Sequence, residues 1–284
     1  MDKKFAIIIN PKSGKGHVYI ALSALKSTLN AHSFLYTVFE NDLPENLDGF
    51  TDLIILGGDG TLNYTINWFK QINIPIALIA CGTGNDFAYC LYGNSPLTEQ
   101  IDLAIFGKIQ SVDAGACNEK LFLNGVGIGF DGEVAHHLYA KKYLKGKLAY
   151  MASVIPLLFV YKETQVSITT DNFSYKGPLF MLSAANGKRY GGGFYVTPNA
   201  LITDKLLNLM LVTKASLLKR LLYLPYIEKG KHVIKAPVFV KQNTFTQFFI
   251  EADKPIRAHL DGEAMVAQQF TVQALPHYFQ FKMK

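Results

Sequence analysis

Leu53-Ile54-Ile55-Leu56-Gly57-Gly58-Asp59-Gly60-Thr61-Leu62-Asn63 contains an apolar run of strand length, a glycine turn with one acid and one hydroxyl, and the opening of a helix. An apolar run without alternation reads as a strand buried on both faces, as in a parallel sheet covered by helices. Two other stretches repeat the arrangement. Residues 5–9 run into Asn10-Pro11-Lys12-Ser13-Gly14-Lys15-Gly16, and residues 74–80 run into Gly82-Thr83-Gly84-Asn85-Asp86. Helical patterns follow all three turns. With strands at 34–39 and, more weakly, at 109–114, residues 1–118 are expected to form a parallel α/β domain. Its three glycine loops then share the carboxyl edge of one sheet, where open α/β sheets bind ligands.

Glycines let a backbone approach phosphate oxygens, and a helix N-terminus supplies free N–H groups beside them. Asp59 does not suit a bare anion site, since a carboxylate repels phosphate; a nucleotide carried with Mg2+ resolves the conflict. Asp86 adds a second acid on the same edge. The loop at 10–16 lacks the glycine four residues before Gly-Lys and so is not a Walker loop. Each loop alone is a weak signal, but the three together predict a nucleotide-phosphate site.

Beyond residue 118 the helical alternation gives way to strand patterns at 165–170, 175–184, 206–212, 233–240, 245–251 and 270–274. Helices are expected at 133–144, 147–161 and 216–228. Residues 119–284 therefore read as a larger, antiparallel β-rich domain, with the last strand returning to the first domain.

The 284 residues carry 28 Lys plus Arg against 22 Asp plus Glu, and 49% of them are apolar, which excludes disorder and asks for an anionic partner. That charge is local. Between 205 and 241, eight basic residues face the single acid Glu228, and the rest of the chain is nearly balanced. One confined patch argues against nucleic acid and for a membrane surface. Within it, Ser216-Leu217-Leu218-Lys219-Arg220-Leu221-Leu222-Tyr223-Leu224-Pro225-Tyr226 has the spacing of an interfacial helix, to which Lys141, Lys142, Lys145 and Lys147 can add. The competing reading packs its leucines on the β domain. Three cysteines without a Cys-x-x-Cys pair fit a reducing cytosol, and no apolar run reaches the ~20 residues of a membrane span. Exposed strand edges leave a homodimer open.

Gly127-Ile128-Gly129-Phe130-Asp131-Gly132 mimics a dinucleotide fingerprint but lacks the acid roughly 20 residues on, so it reads as a close-packed backbone crossing between domains. Asp-Gly-Glu occurs at 131–133 and at 261–263. The first copy opens a helix, where acids serve the N-terminus. The second leaves Asp261 and Glu263 at a turn where one can accept a proton, and it is the favoured catalytic copy. Tyr190-Gly191-Gly192-Gly193-Phe194 reads as a close-approach loop, His136 and His137 as structural, and Cys81 as a packed small hydrophobe.

Taken in order, Asn10-Pro11-x-Ser13-Gly14, Gly57 to Asn63, Gly82-Thr83-Gly84-Asn85-Asp86-Phe87-Ala88, Asn186-Gly187 to Gly193, and Asp261-Gly262-Glu263 resemble the landmarks of the diacylglycerol kinase catalytic family. These are lipid kinases related to sphingosine and ceramide kinases, and the resemblance spans nearly the whole chain. NAD kinases share only the Gly-Gly-Asp-Gly loop. The resemblance implies a nucleotide domain, a sandwich-like β domain and an active site in the cleft between them. It implies ATP on Asn10, Pro11, Lys12, Ser13 and Gly14, on Gly57, Gly58, Asp59, Gly60, Thr61, Leu62 and Asn63, and on Thr83, Asn85 and Asp86, with Thr37 near the nucleotide. It further implies Mg2+ on Asp204 and the carbonyls of Leu201 and Leu206, an acidic partner in Asp113, and a base in Asp261 or Glu263. Where the family places glycine after the metal-site acid, this chain has Lys205. The expected activity is ATP- and Mg2+-dependent phosphorylation of a lipid hydroxyl, on diacylglycerol or a relative, by a cytoplasmic protein at the inner face of the membrane. A soluble-substrate kinase of the NAD kinase type and a non-catalytic nucleotide or lipid-binding regulator are the alternatives.

Overall fold

The computed structural model describes residues 3–40, 42–140, 147–236 and 240–284. The chain divides into two units, Met1–Val112 with His277–Lys284, and Asp113–Pro276.

The first unit alternates strand and helix: β1 (Lys4–Ile9), a 3-10 turn (Ser13–Gly16), α1 (His17–Ala31), β2 (Leu35–Phe39), β3 (Asp52–Gly57), α2 (Asp59–Phe69), β4 (Ile76–Ala80), α3 (Asp86–Tyr92) and α4 (Leu97–Phe106). Strands β4, β3, β1 and β2 lie side by side in that order, all parallel. Phe5, Ile7, Ile9, Ile54, Leu56 and Ile79 face one way, under Val18, Leu25 and Leu29 of α1 and Ile101 and Ile105 of α4. Their neighbours Ile8, Leu53, Ile55 and Leu78 are equally buried, and α2 and α3 pack on the strands. Burial on both faces explains why these runs do not alternate. The C-terminal strand pairs Phe281 with Ile76, and the buried Lys282 ammonium bonds Asp52 at 2.5 Å and the carbonyls of Ala104 and Ile105. Burial pulls that ammonium below its usual range against the opposing pull of Asp52, so the pair works as an anchor.

Strand β5 (Lys108–Cys117) leads into the second unit, which continues with β6 (Lys120–Phe122), β7 (Gly125–Gly129), α5 (Phe130–Ala140), α6 (Lys147–Val160), β8 (Thr164–Thr170), β9 (Ser174–Ala185), β10 (Leu207–Thr213), α7 (Leu217–Glu228), α8 (His232–Lys235), β11 (Val240–Phe245), β12 (Gln247–Leu260) and β13 (Glu263–Met283). The order β11-β10-β9-β7-β12-β13 is antiparallel at each step, with β8 against β9 and β12. Alternation splits β9 and β10 between two cores. Leu182, Ala184, Leu209 and Leu211 join Phe248 and Phe270, whereas Met181, Ala185, Met210 and Val212 meet Val134, Val154 and Leu158 of α5 and α6.

Several elements depart from the sequence reading. The strand expected at 233–240 is helical over His232–Lys235, with 237–239 outside the described residues. The Val-Ile pair suggested a strand, but His232 is buried and its Nε2 meets the carbonyl of Val196 at 3.0 Å. Residues 125–129, expected to cross between domains, instead form a strand inside the second unit, between β9 and β12. The helix expected at 133–144 starts at Phe130, and residues 141–144 lie outside the described residues, as do Lys141, Lys142 and Lys145. Among the described residues no helix is long and apolar enough to cross a membrane.

Candidate active site

In the first unit the three glycine loops interlock. Asn10 organises the first: its carbonyl and Oδ1 accept the N–H groups of Ser13 (2.9 Å) and Lys12 (3.0 Å), and its Nδ2 reaches Thr61 Oγ1 at 3.1 Å in the second. A Cβ on Gly14 would sit 2.3 Å from the Cys81 carbonyl oxygen, and one on Gly58 would sit 2.9 Å from the Gly82 Cα. Only glycine allows those approaches. Asn85, at φ 51 before α3, closes the third loop by bonding both ways with Gly82, at 2.9 and 3.0 Å. Asp59 and Gly60 hold the first helical positions of α2, where N–H groups lack intrahelical acceptors and suit phosphate.

Asp59 bridges two of the loops. Its two carboxylate oxygens accept the N–H groups of Asp86 (3.1 Å) and Phe87 (3.0 Å) at the start of α3. Beside the metal-nucleotide role expected of it, the Asp59 carboxylate thus acts as a strut between the second and third loops. Asp86 is buried, Leu62 and Asn63 turn their side chains into the protein, and Thr83, Gly60 and Lys12 lie exposed at the loop tips. Thr37 is exposed on the edge strand β2, opposite Ala6. Burial pushes the Cys81 thiol up to about 11, so it is no nucleophile at neutral pH.

In the second unit, Asp261-Gly262 forms the two-residue turn between β12 and β13. Its φ values of 47° and 92° are the pair of left-handed positions that a tight hairpin needs, and Leu260 pairs with Glu263 across it. The Asp261 carboxylate accepts three backbone N–H groups, from Leu123 (2.8 Å), Asn124 (2.9 Å) and Gly125 (2.9 Å). Asp261 is thus an anchor, and Glu263 carries the exposed carboxylate of the turn. Buried Asn186 extends the network by donating from Nδ2 to the carbonyls of Asp113 (2.8 Å) and Leu123 (3.0 Å).

Asp113 Oδ2 accepts the Lys205 N–H at 2.6 Å, beside Asp204. Burial, and then the charge of Asp113, push the Asp204 carboxyl above its usual range, while its bond from the Leu206 N–H (3.1 Å) pulls the other way. A hard cation would relieve that strain, and carboxylate and carbonyl oxygens are the donors it prefers. Among the described residues no group of three or more His, Cys, Asp or Glu is placed to hold a metal, so such a site depends on backbone carbonyls. Lys205 sits at φ 69°, a conformation suited to glycine.

The sequence reading missed a cavity of about 70 Å³ in the second unit. Val154, Leu158, Phe180, Met181, Tyr223 and Leu224 line it, with Asp131 among the few polar groups. Helix α7 covers it from one side and turns Leu218 and Leu222 outward, and Phe159 and Val160 at the end of α6 are exposed as well. Arg220 joins the two helices: it donates to the carbonyls of Leu158 and Tyr161 and pairs with Glu163 at 2.6 Å. The basic surface therefore loses Arg220 and keeps Lys205, Lys214, Lys219, Lys229, Lys231 and Lys235, all exposed.

A model of the diacylglycerol kinase catalytic domain matches residues 4–117, and a model of the YegS C-terminal NAD kinase beta sandwich-like domain matches residues 124–282. A protein of Shewanella frigidimarina named "Probable lipid kinase YegS-like" is 30% identical over 242 residues, covering 82% of this chain and 77% of the relative. Among solved structures, a "putative diacylglycerol kinase" of Bacillus anthracis aligns with a TM-score of 0.81 at 23% identity, over 99% of this chain and 95% of that one. An NAD kinase of Archaeoglobus fulgidus in complex with ATP aligns with a TM-score of 0.54 at 14% identity, over 98% and 93% of the two chains. These likenesses establish a mixed α/β fold with an N-terminal domain and a β sandwich-like C-terminal domain.

Proposed function

Because the chain belongs to the diacylglycerol kinase catalytic family, among lipid kinases of the YegS type, we propose that it transfers the γ-phosphoryl group of ATP to the hydroxyl of diacylglycerol or a closely related lipid. The observation that carries this reading is the cavity of the second unit. Its walls are mostly apolar, which suits an acyl chain better than a soluble dinucleotide.

The loops of the first unit hold the donor through backbone N–H groups, and Asp59 keeps the second and third loops in register. Glu263 takes the proton from the attacking hydroxyl, while Asp261 fixes the turn on which Glu263 stands. Phosphoryl transfer asks little covalent chemistry of the protein, so positioning and neutralisation of charge carry it. Mg2+, when bound by Asp204 and the carbonyls of Leu201 and Leu206, supplies part of that neutralisation. Lys205→Gly is expected to raise stability by about 0.5–1 kcal/mol, the relief of a side chain from a left-handed position less the entropy that glycine loses on folding. It also lowers the Mg2+ concentration needed for half-maximal activity, because a cation leaves the neighbourhood. A melting curve and an Mg2+ titration check the two effects; an unchanged melting temperature removes the backbone argument.

The exposed leucines of α7 and the six exposed lysines suit docking on an anionic leaflet, with the cavity behind them. The test supplies labelled ATP and Mg2+ with diacylglycerol and other lipids in vesicles of graded anionic content, and separately with NAD and soluble alcohols. Labelled lipid phosphate whose yield rises with anionic lipid is expected. Label in soluble alcohols alone, or in nothing, defeats the kinase reading, and a yield indifferent to vesicle charge defeats the docking surface.

A further inference from the structure

Gly127 in β7, Asp131 in α5, Tyr190, and His259 near the end of β12 meet in the second unit around one buried carboxylate. Asp131 lines the cavity, and its Oδ2 accepts from Tyr190 OH at 2.6 Å and from His259 Nε2 at 3.1 Å. With its own hydrogen spent on Asp131, the Tyr190 hydroxyl takes a further bond from Ser183. The His259 ring is 4% exposed and lies edge-on to Tyr190, with centroids 5.3 Å apart. A Cβ on Gly127 would come within 2.4 Å of His259 Nε2 and 2.3 Å of Asp131 Oδ2, so glycine is what leaves room for the pair.

The other ring nitrogen faces the hairpin. His259 Nδ1 accepts the N–H of Gly262 at 3.3 Å, which leaves the ring hydrogen on Nε2, where Asp131 receives it. Gly262 is the residue between Asp261 and Glu263. The turn is therefore held from two sides, by the Asp261 carboxylate on residues 123–125 and by an imidazole whose orientation a buried acid sets.

We propose that His259 is a positioning residue: oriented by Asp131 and Tyr190, it fixes the Gly262 peptide and thereby aims the carboxylate of Glu263. This rests on the reading of Glu263 as proton acceptor in a lipid kinase. The arrangement gives the first Asp-Gly-Glu copy a part in the site, through Asp131, and explains why a glycine-rich strand runs beneath it.

Two substitutions separate the halves of the clamp. In His259→Asn the side-chain oxygen can take the place of Nδ1 toward Gly262; in His259→Gln the longer amide can take the place of Nε2 toward Asp131. Both lose similar packing. Expected are a loss of kcat of roughly tenfold to a hundredfold in His259→Gln, at unchanged KM for ATP, and recovery of most of that loss in His259→Asn. Amide hydrogen exchange at Gly262 is expected to speed up in His259→Gln and to stay slow in His259→Asn. Equal kcat in the two variants, or exchange that does not distinguish them, overturns the positioning role. If the wild-type protein phosphorylates no lipid, the kinase reading fails instead, and the exchange measurement still decides whether His259 holds the turn.

Discussion

Replacing Asp59 with alanine is expected to lower kcat/KM for ATP at least a hundredfold and to destabilise the protein by about 3 kcal/mol. Each of its carboxylate oxygens accepts one N–H at the start of α3, at 3.0 and 3.1 Å. A hydrogen bond to a charged group contributes about 1.5–3 kcal/mol, so losing both is a large effect. It falls on one place, the contact between the second and third phosphate-binding loops, which approach so closely at Gly58 and Gly82 that neither tolerates a Cβ. Moving one loop by about 1 Å misplaces the phosphates, and errors of that size cost roughly a hundredfold. Asp59→Asn separates geometry from charge. Its amide can accept one of the two N–H groups but turns an N–H toward the other, so it should behave almost as badly as alanine. Activity assays well below the melting temperature, with circular dichroism on the same samples, check the outcome. Full stability together with lost activity would mean that the carboxylate acts on the nucleotide directly.

The same contacts show how far the sequence could be read. Apolar runs ending in glycine turns made β1, β3 and β4 legible, because burial on both faces leaves a local mark in the residues themselves. The glycines of the loops that follow them were legible for another reason, since at Gly14, Gly58 and Gly82 the backbones approach too closely for a Cβ. What the reading could not supply were pairings between distant positions. Lys282 meets Asp52 across 230 positions of chain, and nothing near either residue announces it. Strand β7 consists of alternate glycines that local propensity assigns to a loop; its strand character comes from β9 and β12, and its Gly127 from side chains at 131 and 259. Lys205 was visible as a departure from a family pattern, but the backbone angle that makes the departure costly was not. The two acids at 261 and 263 looked equivalent as candidate bases because the partners of Asp261 lie more than 130 residues away.

That inequality gives the second large effect. Glu263→Gln is expected to lower kcat by about a hundredfold to ten-thousandfold, the usual worth of a positioned base. KM for ATP and melting temperature should hold, since the side chain is exposed and the substitution preserves its shape. Asp261→Asn should behave differently. An amide cannot accept three N–H groups with the strength of a carboxylate, so residues 123–125 lose part of their anchor and the melting temperature falls by several degrees. Its activity should fall as well, because Glu263 stands on the turn that Asp261 secures. Measuring kcat and thermal stability for both variants puts them on different axes. Chemistry is lost without stability at Glu263, and stability is lost together with chemistry at Asp261. If instead Glu263→Gln keeps full kcat while Asp261→Asn loses it at an unchanged melting temperature, Asp261 is the base and its three bonds must open during turnover.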